Sequence, residues 1–352
     1  MPVSEKNAPI GRILIASSEP RPWYDEIQDC TEHFKRQRYT LGAIMYNMEK
    51  MGWQIRWAGM KTTKSFHRLR DRIDAFQPDI VYTYGASTAL HPLICRKHYC
   101  QWKNFLVVHG WDDAYGDIWG GRWGLFGRIP MDILEKLIVT RSDKVVTLSY
   151  YLQNRGRKWG VESKYIPNGA DPIAPEEIKG DFHLEGDMNI VYTGDKAKWK
   201  RTEDICEAMR HVPKNIKLYL TGGHYTYLDK YASDNCIFLG WLTKEEQYKV
   251  MSQADVFVCT ANQDCNAKLQ EYLRWKKPIL GYDDRANLFF KNGENALLTK
   301  NYPEAIMRLY NDPTLRQRLA ENAEKQIPLF SWREIAEQFD AYFRKILAEV
   351  RK

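Results

Sequence analysis

The densest group of chemically useful side chains in this 352-residue sequence is Asn266-Ala-Lys268-Leu269-Gln-Glu271-Tyr-Leu-Arg274, ahead of Lys277-Pro278-Ile-Leu. Residues 255–260 read as a buried strand and 261–265 as a polar loop. Glu271 then falls in the first turns of a helix that starts at a strand's carboxyl end. Such a start exposes unpaired N–H groups and a positive dipole end, which suit a diphosphate. The carboxylate can accept hydrogen bonds from ribose or sugar hydroxyls. The same stretch also reads as a plain helix with a charged surface. In the first half, His109 closes the apolar run 105–109, just before Gly110 and Asp112-Asp113. There an imidazole is exposed enough to reach a cleft, although a satisfied core or loop histidine fits as well. Asp112-Asp113 and Asp283-Asp284 are adjacent pairs whose side chains need not converge, so no metal site is expected.

These residues need a frame, and the apolar pattern supplies one. Strands are expected at 12–17, 53–58, 79–84, 104–109, 144–148 and 164–166, with helices at 34–51, 65–76, 88–99, 131–140 and 150–159. A polar, proline-containing stretch at 171–188 reads as a linker. The alternation then restarts, with strands at 189–193, 216–221, 237–239, 256–260 and 278–282. Helices are expected at 202–210, 244–253 and 268–274, and a long one from 332 to about 349 closes the chain. Alternation of this kind implies parallel sheets covered on both faces, with ligands at the strands' carboxyl ends. The expected architecture is α/β: two Rossmann-like, doubly wound domains facing a central cleft. Residues 1–175 form the first domain, 176–330 the second, and 331–352 a C-terminal helix able to cross back.

Five segments, in order, resemble the retaining family 4 (group 1) glycosyltransferases of the B-type two-Rossmann fold. Lys268-Leu-Gln-Glu271-Tyr-Leu…Lys277-Pro278 resembles that family's K-L-x-E-Y-L-A-x-G-K-P run. Tyr165-Ile-Pro-Asn-Gly-Ala-Asp171 is similar to its I-P-N-G-V-D junction, and Tyr192-Thr-Gly194-Asp195 followed by Lys200 to its phosphate loop. Phe238-Leu-Gly-Trp-Leu242…Glu245…Ala254-Asp255-Val-Phe-Val and Gly293-Glu-Asn-Ala-Leu-Leu298 resemble its later blocks. The resemblance implies metal-independent, retaining transfer of a sugar from a nucleoside diphosphate, UDP or GDP, to a hydroxyl, with no bound cofactor. It implies catalytic roles for His109, Lys200 and Glu271. Lys200 would stabilise the departing diphosphate, Glu271 would anchor hydroxyls and His109 would position the sugar. It also implies donor contacts from Gly194, Lys196, Gly222, Leu242, Gln263, Lys268 and Leu269. Three positions depart from the pattern. Asp195 stands where the family carries Arg, so Lys196 or Lys198 would have to substitute. Gln263 replaces the first glutamate of the family's pair, beside Asp264, and Asn266 replaces a glycine. The first strand is followed by Ala16-Ser-Ser-Glu-Pro-Arg-Pro-Trp, without the glycine loop of many relatives, and by an insert through Phe34 expected to touch the acceptor.

Composition narrows the remaining classes. Hydrophobic residues make up 44% and charged residues 28%, ordinary for a globular chain. No run of 18 apolar residues and no apolar leader segment appears, which points to the cytoplasm. Seven scattered cysteines without a C-x-x-C spacing argue against zinc or a disulfide framework. Of the net charge of +7, residues 1–180 hold 26 basic against 20 acidic residues, or +6. A basic half suits an anionic acceptor or a membrane surface. The aromatic, glycine-rich and basic stretch 111–128 reads either as an acceptor or membrane-interface loop or as a cleft loop packed on the core. The lack of a clear amphipathic helix favours the second. A glycan, a lipid-linked sugar or another hydroxyl compound fits as acceptor, and a peripheral membrane contact and a nucleic-acid acceptor stay open. So do three rivals: a non-catalytic nucleotide-sugar or glycan-binding protein, a DNA-base glucosyltransferase, and an epimerase or phosphorylase on the same plan. No G-x-G-x-x-G follows a strand, which argues against a dehydrogenase.

Overall fold

A computed structural model describes residues 9–17, 40–59, 65–85, 88–170, 173–265, 267–326 and 330–351. The insert through Phe34, Asp171 and Asn266 lie outside them. The chain divides into two compact units, Met1–Pro167 with Trp332–Lys352, and Asn168–Ser331. The division falls at 167/168 rather than at 175/176.

The first unit runs β1 (Arg12–Ser17), α1 (Thr40–Lys50), β2 (Gln54–Gly59), α2 (Ser65–Phe76), β3 (Ile80–Tyr84), α3 (Leu90–His98) and β4 (Leu106–Trp111). It continues with α4 (Tyr115–Trp123), α5 (Leu125–Arg141), β5 (Lys144–Thr147), α6 (Tyr150–Lys158) and β6 (Ser163–Tyr165). All strand pairs are parallel, in the order β2-β1-β3-β4-β5-β6. The central strands are continuous apolar runs because both faces are covered: Ile13, Leu14, Ile15 and Ala16 are all fully buried.

The stretch 111–128, expected as a cleft loop, is largely helical. Gly124, at φ +62°, breaks it into α4 and α5. Gly116 and Gly120 let the two helices approach: a Cβ on Gly116 would meet Asp132 Oδ1 at 2.0 Å, and one on Gly120 would meet Arg128 Cβ at 3.2 Å. Buried Glu135 ties the two helices of the hairpin to each other and to the next helix, Tyr150–Lys158. It accepts from the Tyr115 N–H (2.8 Å) and from Arg155 Nε (2.9 Å). Burial pushes its carboxyl up to about 7, against the pull of Arg155.

The second unit runs β7 (Met188–Tyr192), α7 (Thr202–Ala208), β8 (Ile216–Thr221), β9 (Cys236–Gly240), α8 (Lys244–Ser252), β10 (Val256–Cys259), α9 (Ala267–Leu273), β11 (Ile279–Tyr282), β12 (Leu297–Thr299), α10 (Tyr302–Asn311) and α11 (Pro313–Glu324). Its parallel sheet has the order β12-β11-β10-β7-β8-β9. From β7 the chain winds outward through β8 and β9. From β10 it winds the other way, so a switch point lies between β7 and β10. Local signals agree with the pattern. Thr243 and Glu246 cap α8 reciprocally, each side chain accepting from the other's N–H (3.3 and 2.8 Å).

The closing helix α12 (Trp332–Val350) crosses back to the first unit. Its apolar face at Ile335, Phe339, Phe343 and Ile346 recurs at helical spacing and is buried. Phe343 packs edge-on against Trp53, and Phe339 does the same against Tyr82. Trp53 Nε1 donates to Asp340 Oδ1 at 2.7 Å.

Candidate functional site

The loops at the switch point of the second sheet hold most of the singled-out residues. Strand β7 ends in Thr193-Gly194-Asp195, and α9 follows β10 beside it. Buried Tyr272 fixes α9 there. Its ring stacks on Phe257 at 4.5 Å, and its hydroxyl oxygen accepts from the Thr193 N–H at 3.0 Å. Lys268, one turn earlier, therefore lies over the glycine of the loop. A Cβ on Gly194, at φ +96°, would sit 2.8 Å from Lys268 Cε and 2.9 Å from its Nζ. Gly222, at φ +93°, closes the same loop from the β8 side, and a Cβ there would meet Gly194 O at 2.6 Å. Side chains at either position would fill the space against which a ligand backbone could rest.

The charged groups divide into those spent inside the loop and those at its surface. Lys268 Nζ is 3.4 Å from Glu271 Oε2, each side chain 25% exposed, and nearly buried Arg274 approaches Glu271 Oε1 at 3.9 Å. Glu271 is thus oriented by two cations while part of its surface stays open to solvent. Lys200 Nζ is 3.7 Å from Asp195 Oδ2, and the Lys200 carbonyl accepts from Thr260 Oγ1 at 2.6 Å. That bond joins the phosphate-loop segment to the end of β10.

Asp195, the acid at the family's arginine position, is an internal acceptor. The Tyr225 hydroxyl donates to it. Burial raises its carboxyl, but Tyr225, Lys200 and the N–H groups of Ala197 and Lys196 together hold it below its ordinary range. Lys196 corrects an expectation, because its ammonium cannot stand in for that arginine. The side chain is fully buried and donates to the carbonyls of Thr221 (2.7 Å), Gly223 (3.0 Å) and Gly194 (3.3 Å). Burial lowers its pKa to about 8, against the pull of Asp195. Lys198 lies exposed with its ammonium 5.8 Å from the Tyr227 ring centre.

The remaining positions surround this core. Gln263 is half-buried, Asp264 buried, and Leu269 packed in the apolar interior, so the Leu269 side chain supports the site from beneath. Leu242 is half-buried against the same interior. Its neighbour Trp241 went unnoticed in the sequence. It is 81% exposed, and its indole lies along Gly223, within 3.4 Å of where a Cβ would be. An aromatic residue after F-x-G carries no distinctive spacing, and only its exposure marks it.

His109 belongs to the first unit, and the expectation of an exposed strand end does not hold. Strand β4 runs two residues further, to Trp111, and His109 is fully buried. Its Nδ1 is 3.0 Å from Thr83 Oγ1 on the paired strand, and its Nε2 is 3.4 Å from the Tyr115 hydroxyl. Burial drives its pKa down to about 3, so the ring is neutral at physiological pH.

Comparison with known proteins agrees with this geometry. The family model for Glycosyltransferase Family 4 matches residues 27–173, and that for Glycosyl transferases group 1 matches residues 175–326. The chain is 24% identical over 238 residues to the uncharacterized glycosyltransferase MJ1069 of Methanocaldococcus jannaschii, covering 60% of this chain and 61% of that one. The match thus spans about three fifths of that relative's length. Among solved structures, sucrose-phosphate synthase from Thermosynechococcus elongatus superposes with a TM-score of 0.75 at 16% identity, over 96% of this chain and 99% of that one. Anabaena HepE in complex with UDP and glucose superposes with a TM-score of 0.69 at 14% identity, over 95% and 100%. With both halves matched and two six-stranded parallel sheets, the chain belongs to the group 1 glycosyltransferases of the GT-B fold.

Proposed function

We propose that the chain transfers a sugar from a nucleoside diphosphate to a hydroxyl acceptor, with retention of configuration. The observation that carries this reading is the loop at the β7/β10 switch point. A glycine without room for a side chain lies under the Lys268 ammonium, and Glu271 is held 3.4 Å from that ammonium. Lys268 and Lys200 would counter the diphosphate charge that grows as the sugar–oxygen bond breaks. Glu271 would accept from ribose or sugar hydroxyls. The acceptor oxygen would bond to the anomeric carbon while its proton passes to the leaving phosphate oxygen, so no separate base is needed. His109, neutral, fully buried and held by Thr83 and Tyr115 through both ring nitrogens, would shape the end of β4 rather than touch the sugar or move a proton. The complex of HepE with UDP and glucose favours UDP as the nucleotide.

A thermal-shift screen against UDP, GDP, ADP and their sugar conjugates tests the donor. A selective rise with one conjugate is expected. No rise with any of them would sink the reading. Glu271→Gln should lower turnover about a hundredfold, within the range for losing one positioned polar group, and leave the melting temperature near that of the parent. A parallel loss of both would make Glu271 structural. The configuration of the product, read by NMR, decides retention. A second reading, sugar-nucleotide binding without transfer, draws on the Lys200–Asp195 pair, which already occupies the expected phosphate cation. Tight binding with no product would select it.

A further inference from the structure

Helix α5 is apolar on two sides. Ile138, Val139 and Glu135 face inward, while Leu125 (69% exposed), Phe126 (94%), Ile129 (55%), Ile133 (65%) and Leu137 (42%) face solvent. At 100° per residue the five outward side chains fall within one arc of about 120°. Trp119 on α4 is also exposed, and Phe126 stands at the tip, just past the Gly124 turn. Core packing does not explain an outward ridge of this size, and an exposed contiguous patch marks a contact surface.

We infer that the α4–α5 hairpin is the surface on which this chain lies against an anionic lipid bilayer. Charge selects that partner. The exposed residues of α5 include Arg128, Lys136 and Arg141 and no acidic residue. The acidic groups of the hairpin turn to cations of the protein: Asp117 to Arg128 (3.3 Å), Asp132 to Arg155 (2.5 Å) and Glu135 to Arg155. An apolar ridge bordered by basic side chains matches acyl chains below and anionic headgroups above. Arg128 is balanced by Asp117 and Asp132, but a second copy packed face to face through the same ridge would bring Lys136 and Arg141 near their own counterparts. Among the described residues no helix is long and apolar enough to cross a membrane, so the contact is interfacial. The inference is independent of the donor site in the second unit and survives if that reading fails.

The full chain is sedimented with vesicles of phosphatidylcholine alone and of phosphatidylcholine mixed with phosphatidylglycerol, at low and high salt. Binding to the mixed vesicles is expected to exceed binding to the neutral ones by roughly tenfold or more, and to fall with salt. Phe126→Ser with Ile129→Ser should remove it without moving the melting temperature, since both side chains are exposed. Should that variant fail to fold, Lys136→Gln with Arg141→Gln provides the same reading. Each basic residue near the surface accounts for about a factor of five, so the pair should weaken binding about 25-fold. Equal sedimentation with both vesicle types, no sedimentation, or binding that neither variant weakens overturns the proposal. So does a dimer in sedimentation velocity that the Phe126/Ile129 variant dissolves.

Discussion

Two buried cationogenic side chains, His109 and Lys196, show how far a residue's type is from its role. Both look like functional groups in the sequence, and both are fully enclosed in the structure. His109 can be tested by linkage. Its folded pKa of about 3 lies below the unfolded value near 6.5, so the unfolded chain binds more protons between those values. Its stability contribution is complete above pH 6.5 and is lost as pH falls toward 3, at about 1.4 kcal/mol per pH unit. Denaturant unfolding at pH 6.5 and pH 5 should therefore show the parent losing about 2 kcal/mol more than His109→Gln, which cannot titrate. Equal losses would mean that the ring is reached by water. Nothing in the local sequence distinguishes this histidine from an exposed one. The difference is made by groups from elsewhere in the fold, Thr83 opposite it on β3 and Tyr115 on α4, which close around the ring.

At the scale of elements, the candidate site is three loops held in register by close backbone contacts. Gly222 sits against Gly194, and Lys196 gathers the carbonyls of both loops. Gly222→Ala should cost about 1–3 kcal/mol, because the new methyl group would overlap the Gly194 carbonyl. It should also weaken nucleotide binding by moving the Gly194 loop away from Lys268. Gly160→Ala is the control. It too has positive φ, but nothing lies within 4 Å of its Cβ position, so only backbone strain of about 1 kcal/mol applies. Equal melting shifts for the two variants would show that contact with Gly194 contributes nothing. The strands flanking these loops were legible because buried parallel strands are continuous apolar runs. The second half of α5 was legible too, at 131–140, but α4 and the start of α5 were not, and the apolar solvent side of α5 shows that periodicity does not reveal which face finds a partner.

For the whole molecule, the organisation turns on α12, which is last in sequence but packs in the first unit. Phe343 is its most enclosed ring, within 6.1 Å of the Trp53, Tyr82 and Phe339 centroids. Phe343→Ala should destabilise the first unit by about 3–5 kcal/mol. Native-state hydrogen exchange should then show amides of β1 and β3 losing protection by that amount, while those of β7 and β10 keep theirs. Loss of protection in both sheets would contradict an assignment of α12 to the first unit alone.

The sequence by itself determined two parallel α/β halves, the position of nearly every central strand, and the clustering of Gly194, Lys200, Lys268 and Glu271 at one sheet's carboxyl edge. The halves and strands follow from short-range patterning, in strand periods, turn residues and the polar loops after them; the grouping of those four residues follows from the family resemblance. Only the tertiary structure decided which cations stay at the surface, that Asp195 holds its own loop, that His109 is neutral, and that an apolar ridge of α5 is left uncovered. The physical reason is common to all four. Burial and electrostatic environment depend on which backbone carbonyls, hydroxyls and apolar faces arrive from far along the chain, and a side chain's own neighbours in sequence carry no record of them.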